Sequence, residues 1–144
     1  MNAHRKIVVG VDGSQNAVLA LKWALAEARL RGDTVEVLHG WHFPYISDPT
    51  GIVPLPTAAL QESAEMVVSD ALTECAAEAE GVDVTTRVEE TTGAEFLIEA
   101  SKDADLLVVG RRGHGGFLAL VMGSLAQQVS AHAHCPVVMV GGPA

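Results

Sequence analysis

The sequence predicts an α/β fold: a doubly wound parallel sheet of five strands in the order 3-2-1-4-5, with helices on both faces. Five short apolar, β-branched segments alternate with four longer segments whose apolar residues recur with helical spacing. Of the 144 residues, 49% are hydrophobic but only 4% are aromatic. The core must therefore consist of Val, Leu, Ile and Ala, as in parallel strands covered on both faces.

The first strand is predicted at 7–11, where it is followed by Asp12, Gly13 and Ser14. Ser14 or Asp12 is suited to cap the first helix, and the second strand follows at 34–40. A βαβ unit of this length crosses over right-handed, so the two strands are expected to be parallel.

The segment 41–56 is the one irregular stretch, because prolines at 44, 49, 54 and 56 interrupt both helix and sheet. It also holds Trp41, His42, Phe43 and Tyr45, much of the scarce aromatic content. Two interpretations remain open: a flap that shields the sheet edge, or a lid near a ligand.

The second half continues the alternation of helices and strands. A long helix is predicted from Thr57 to a stop at Gly81, and the third strand at 82–88 alternates in the manner of an edge strand. Thr92 and Glu95 form a capping box that begins a short helix. The remaining elements are a fourth strand at 105–109, a helix at 124–133 and a fifth strand at 136–140.

A glycine-rich loop joins the fourth strand to the last helix. Gly110 and Gly113 leave no Cβ between their backbone N–H groups and an anion, and Gly123 does the same beside the helix. Ser124 is predicted to be the N-cap, with Gln127 completing a capping box. A helix N-terminus reached through such a loop suits a phosphate. The alternative is a surface loop that binds nothing.

The predicted strand order reverses between the first and fourth strands, and ligands of such sheets bind outside the strand ends at that point. Asp12 and Gly110 would face each other there. The loop is not a Walker A motif, because Gly115 is followed by Gly116 and Phe117 rather than by Lys and Ser or Thr.

Composition excludes several classes of partner. The net charge of −9 and the pI of about 4.9 argue against nucleic acid and against an anionic membrane surface. Cys75 and Cys135 have no CxxC spacing and are interpreted as buried thiols of a reducing compartment. Neither a signal-peptide core nor a membrane span is evident, so we expect a cytoplasmic protein.

Other candidate residues are weak. His132, His134 and Cys135 are close in sequence, but the break between helix and strand would scatter their directions, so a zinc site is not expected. Ser14 lacks a nucleophile-elbow context, and His114 is more simply an exposed loop residue.

The chain resembles the universal stress protein family over 1–144, as one domain with the fold of the adenine-nucleotide α-hydrolase-like superfamily. The resemblance lies in the strand ending Val11-Asp12-Gly13-Ser14, in the element order, and in the spacing Gly110-x2-Gly113-x9-Gly123-Ser124. That spacing is the pattern of the family's ATP-binding branch.

The resemblance implies a cytoplasmic, homodimeric protein of the stress response that binds ATP with Mg²⁺. Ribose and phosphates would contact the loop and helix start, at Val109, Gly110, Arg112, Gly113, Gly123, Ser124 and Leu125. Gly10, Val11 and Asp12 would line the nucleoside side, with Asp12 reaching ribose, adenine or the nucleotide-bound Mg²⁺, and Gly40 would contact adenine.

Several functions stay open under this resemblance. The leading one is a non-enzymatic nucleotide-binding regulator, with at most slow ATP hydrolysis and no catalytic residue assigned. The alternatives are a protein that binds cyclic AMP, an ATP-cleaving enzyme of the superfamily, and a ligand-free dimerising scaffold. The dimer is expected to form through the edge strand 136–140, whose unpaired backbone groups need cover.

Overall fold

The computed structural model describes residues 5–42, 47–48, 51–52, 57–112 and 122–142. Within them, five strands form one sheet: β1 (Lys6–Gly10), β2 (Thr34–Trp41), β3 (Val84–Glu90), β4 (Leu106–Gly110) and β5 (Val137–Val140). The helices are α1 (Gln15–Arg31), α2 (Thr57–Glu74), α3 (Ala76–Ala79), α4 (Gly93–Ala100) and α5 (Ser124–His132), with a 3₁₀ turn at Ser101–Asp103.

The strand order is β3-β2-β1-β4-β5 and every pairing in this sheet is parallel. This confirms the predicted order 3-2-1-4-5. The prediction that β3 is an edge strand is also confirmed, because it stands at one end of this order; five of its seven side chains are exposed and the other two are half-buried. The sheet order reverses between β1 and β4, which places a crevice outside their C-terminal ends.

The central strands are buried on both faces, as their unbroken apolar character requires. Alternate side chains of β1 enter different cores. Ile7 and Val9 pack with α1 and α2 on one face, whereas Val8 packs with α4 and α5 on the other. All three side chains are fully buried.

The long helix predicted from Thr57 to Gly81 is instead two helices. α2 ends at Glu74, and the N–H of Cys75 is shared between the carbonyls of Ala71 and Leu72, both at 3.2 Å. The shared bond tightens the helix where the Cys75 side chain is drawn into the core beside α1. Helical spacing continues through this position, so the break was not visible in the sequence.

Strand boundaries differ modestly from the predictions. β2 continues through Trp41, and β3 is displaced two residues toward the C-terminus. In the proline-rich segment, where no sheet was expected, Ser47–Asp48 and Gly51–Ile52 form a two-residue antiparallel pair. Such a short pair fits between prolines, which cannot donate to a longer ladder. The predicted flap or lid otherwise concerns residues outside those described.

None of the described helices combines the length and the apolar composition needed to cross a bilayer.

Candidate functional site

The crevice lies at the reversal of strand order and contains two adjoining cavities. The larger, of about 160 Å³, lies beyond the ends of β1 and β2 and against the first turn of α4. The smaller, of about 10 Å³, is a narrow gap between the ends of β1 and β4 and the start of α5. Gly10, Asp12 and Leu125 line both cavities, so the two are parts of one site.

The turn after β1 is fixed by hydrogen bonds at the start of α1. Ser14 is the N-cap, and its Oγ accepts from the N–H of Ala17 at 3.2 Å. Oδ1 of Asp12 accepts from the N–H of Ser14 at 2.9 Å. Gly13 has a φ of +85°, a left-handed conformation that favours glycine. Asp12 is thereby held at the rim of both cavities with its second carboxylate oxygen uncommitted by this bond.

Neighbouring groups pack closely against the glycines at the ends of β1 and β4. A Cβ on Gly10 would lie 2.6 Å from Cδ1 of Leu97, and a Cβ on Gly110 would lie 3.1 Å from the backbone of Asn16. The sequence predicted that Gly110 lets the backbone turn sharply and leaves its N–H group open to an anion. Its φ is not positive, so Gly110 does not use the left-handed conformation that favours glycine. Its role in the structure is to let β4 approach the first turn of α1.

Gly40 has a similar explanation. A Cβ there would lie 2.8 Å from the carbonyl oxygen of Thr91, in the turn that leads into α4. The glycine therefore lets this turn close against the end of β2. The same turn brings Gly93 and Phe96 of α4 to the wall of the larger cavity.

The start of α5 corrects the predicted cap. Gly123 is the N-cap, without a side-chain capping bond, and Ser124 is the first helical residue, with an exposed side chain. The Gln127 side chain donates to the carbonyl of Met122 at 3.4 Å instead of completing a capping box. The cap moves back by one residue because Gly123 already has the extended backbone of a cap, with φ −64° and ψ 157°.

Backbone donors remain at this helix start. The N–H of Gly123 donates to the carbonyl of Arg111 at 2.8 Å, which ties together the two ends of the glycine-rich loop. The first helical bond runs from Gln127 N–H to Gly123 O at 3.0 Å. The N–H groups of residues 124–126 therefore lack intrahelical partners, and the positive end of the helix dipole lies with them.

The two adjacent arginines diverge. Arg112 lines the narrow gap with Asp12 and Ser14. The guanidinium of Arg111 lies against Gly141, beyond β5, and the Arg111 N–H donates to Val140 O at 2.9 Å. Of the two arginines, Arg112 is thus the one that lines the crevice.

The structure brings together most residues of the predicted site. Gly10, Val11, Asp12, Gly40 and Leu125 line the larger cavity, and Gly110 and Arg112 line the gap with Asp12 and Leu125. Gly123 and Ser124 lie at the adjoining helix start without lining either cavity. The side chain of Val109 is fully buried in the core beside α5, so only its backbone is near the crevice. Gly113 and His114 lie outside the described residues.

Part of the wall of the larger cavity was not predicted from the sequence. His39 and His42 near the end of β2, and Phe96 and Leu97 on α4, line the larger cavity. A signal for the histidines was available, since parallel strands end at one edge of a sheet. Phe96 and Leu97 were assigned only to a buried helix face, because helical spacing does not tell core from cavity wall.

Two larger depressions lie on the two faces of edge strand β3. One, of about 570 Å³, lies against α2 and includes Val68, Leu72 and Val88. The other, of about 690 Å³, lies against α4, where the Arg87 guanidinium sits 5.1 Å from the centre of the Phe96 ring and pairs with Glu89 at 2.8 Å. Neither contains the strand ends or the start of α5, so volume alone does not identify the site.

Among the described residues, no three His, Cys, Asp or Glu side chains cluster in a way that would hold a metal ion. Asp12 is the one carboxylate lining the two cavities of the crevice in this part of the chain. A cation there would need oxygen ligands from the bound molecule as well.

The chain is similar to known proteins over nearly its whole length. Residues 3–141 match the profile of the universal stress protein family. A universal stress protein of Mycolicibacterium smegmatis is 34% identical over 94% of this chain, which covers 48% of that relative. The chain thus spans about half the length of the curated relatives it matches.

Solved structures give the same match. A universal stress protein family member from Burkholderia pseudomallei is 29% identical, with a TM-score of 0.70, and 95% of this chain and 96% of that chain are covered. A universal stress protein solved in complex with cAMP has a TM-score of 0.69 at 22% identity, with 96% and 98% covered. Further structures of this fold contain dAMP, in the Archaeoglobus fulgidus protein, and AMP, in an Arabidopsis thaliana protein.

Proposed function

Because the chain belongs to the universal stress protein family, we propose that it is an adenine-nucleotide-binding regulator of the stress response. The crevice between β1 and β4 is the proposed binding site. The observation that carries the proposal is the meeting of three features in it: the N-terminus of α5, Arg112 and the Asp12 turn. The first two attract a phosphate, and the third suits a ribose hydroxyl or a phosphate-bound cation.

The two cavities differ in size and lining, and each suits a different part of a nucleotide. The larger cavity of about 160 Å³ has apolar walls at Leu38, Phe96 and Leu97 and a carboxylate at Asp12, which suits a nucleoside. It is smaller than the roughly 300–1,000 Å³ of pockets that enclose whole drug-sized ligands. The phosphates would lie over the mouth of the narrow gap beside α5, where backbone N–H groups and Arg112 would offset their charge.

ATP with Mg²⁺ is the proposed nucleotide. The donor set fits the metal, because Mg²⁺ is usually held by one or two carboxylates together with substrate phosphates. Asp12 would supply the carboxylate through the oxygen that Ser14 does not occupy, and the bound cation would offset phosphate charge in an acidic chain.

Cyclic AMP is a second candidate, favoured by the related protein solved in complex with cAMP. Titrating ATP–Mg²⁺, AMP and cAMP separately into ligand-stripped protein ranks the candidates. Tighter binding of ATP–Mg²⁺ than of AMP supports a site that uses several phosphates. If cAMP binds most tightly, cAMP rather than ATP is the ligand.

An ATP-cleaving enzyme is the alternative from another class. General acid–base chemistry needs a group poised beside the reacting atoms, and we assign no second acid or base to partner Asp12. Mass spectrometry of the ligand released from purified protein, followed by an ADP-release assay with ATP–Mg²⁺, separates the two. Stoichiometric nucleotide with negligible turnover supports the regulator; sustained turnover on the scale of about 1 s⁻¹ or faster makes the protein an enzyme.

We also propose that the chain forms a homodimer through β5. This strand is the sheet edge next to β4, its side chains are exposed or half-buried, and Met139 is 38% exposed. Pairing two β5 edges would cover their unpaired backbone groups.

A further inference from the structure

The β1–β2 ladder has a regular register up to the crevice. Its paired residues run from Lys6 opposite Thr34 to Gly10 opposite Leu38. Backbone groups of even-numbered β2 residues face β1: the N–H of Thr34 donates to Arg5 O at 2.9 Å, and Leu38 O accepts from Val11 N–H at 3.0 Å. Continuing the ladder by one step would pair the N–H of Gly40 with the carbonyl oxygen of Val11.

A side chain takes the place of that backbone bond. Nδ1 of His39 lies 2.7 Å from the carbonyl oxygen of Val11. A carbonyl oxygen can only accept, so Nδ1 must carry the hydrogen and donate. The imidazole thus fills the position where the ladder would have continued, and β1 and β2 diverge beyond it.

Gly40 is left at the point of divergence. The next β2 residue, Trp41, faces the other way, since its carbonyl accepts from Thr91 N–H at 2.7 Å on the β3 side. Backbone direction alternates along a strand, so the Gly40 N–H points to the β1 side. Gly40 also lines the larger cavity of the crevice.

We propose that His39 is a positioning residue: by occupying the Val11 carbonyl, it keeps the ladder from closing and leaves the Gly40 N–H free to donate to the nucleotide base. This inference rests on the proposed nucleotide binding. The ligand group that fits is a ring nitrogen with a lone pair, as a purine presents. His39 acts through Gly40 and is not itself assigned a bond to the ligand.

Two substitutions separate this role from ordinary packing. In His39→Asn, the side-chain amide can place an N–H near the position of Nδ1 and keep the bond to Val11. In His39→Leu, a side chain of similar bulk has no donor, so Val11 O is released and can accept from Gly40 N–H. The ladder then extends into the crevice.

The first readout is amide hydrogen exchange measured by NMR without nucleotide. In the wild type and in His39→Asn, the Gly40 amide is expected to exchange at least about a hundredfold faster than the Leu38 amide in the same strand. In His39→Leu, the Gly40 amide becomes protected. A change in packing alone would not protect an amide that had been open.

The second readout is the affinity for AMP, measured by calorimetry. His39→Leu should bind about tenfold more weakly, and His39→Asn within about threefold of the wild type. Protection of Gly40 in the ligand-free wild type, or equal AMP affinity in folded His39→Leu and wild type, overturns the proposal. If no adenine nucleotide binds the wild type, the proposed function fails, while the exchange experiment still decides whether His39 holds the ladder open.

Discussion

Two serines at helix starts have different roles at the residue scale. Ser14 caps α1, whereas Ser124 is exposed and lies one position inside α5. Ser14→Ala is therefore expected to lower the free energy of unfolding by about 0.5–2 kcal/mol. Ser124→Ala should change it by no more than about 0.5 kcal/mol. Urea denaturation of the two variants tests the difference, and a larger loss in Ser124→Ala would restore the cap predicted from sequence.

The two cysteines differ in reactivity at the same scale. Both were interpreted as buried, but only Cys75 is; Cys135 is half-buried at the entrance of β5. Burial raises the pKa of the Cys75 thiol to about 11, with the nearby Glu78 carboxylate adding to the effect. Burial also raises the pKa of the Cys135 thiol, but its half-buried sulfur stays accessible to a reagent. At pH 8 an aromatic disulfide reagent should therefore label one thiol before the other, since labelling needs both access and the thiolate form.

Mass spectrometry of the labelled protein identifies the thiol. We expect Cys135 first, and Cys75 only after the protein is unfolded in denaturant. Rapid labelling of Cys75 in the folded protein would contradict its burial beside α1.

Arg29 connects two helices at the element scale. Its Nη2 donates to the carbonyls of Ala77, Glu78 and Glu80, which closes the end of α3 against α1. Arg29→Ala should lower the free energy of unfolding by about 1–2 kcal/mol, since it leaves these carbonyls without their charged donor.

Arg31→Ala is the matched control. Arg31 pairs with Glu27 one helical turn away on the exposed face of α1, at 2.9 Å. Removal of such a pair costs about 0.5 kcal/mol or less. Equal losses in the two variants, measured by urea denaturation, would mean that Arg29 does not hold α3.

Sequence periodicity predicted the elements and their order, because a helix or strand that is buried on one or both faces carries a regular apolar pattern along its whole length. The β-branched residues of β1 and β4 and the apolar stripe of α1 reflect one sheet covered on two faces. The right-handed crossover rule then left few orders to consider. The crevice followed from that order rather than from any residue in it.

Features that depend on local competition between bonds were not predictable. The cap of α5 moved from Ser124 to Gly123, and α2 broke at Cys75, because backbone geometry and core packing decided each case. The bond from His39 to Val11 depends on how β1 and β2 diverge, which no spacing encodes.

At the scale of the whole molecule, the proposed homodimer through β5 can be tested directly. If two chains pair through β5, light scattering at micromolar concentration should give twice the mass of one chain. Met139→Lys places a charge on this exposed edge and should shift the protein toward the monomer, since charged side chains blunt sheet edges. Met66→Lys, at an exposed position on α2 away from β5, is the control and should leave the mass unchanged. A monomeric wild type would contradict the proposed dimer.

The most direct test of the proposed site is calorimetric titration of ATP–Mg²⁺ into ligand-stripped wild type and Gly123→Val. The backbone of Gly123, at φ −64° and ψ 157°, is one that valine adopts, so the variant should fold; its free energy of unfolding should fall by no more than about 2 kcal/mol, because valine is a poorer N-cap than glycine. Its side chain would stand beside the free N–H groups of α5, where the phosphates are proposed to bind. We expect binding to the wild type and none to folded Gly123→Val; equal affinity in the two proteins would contradict the proposed site.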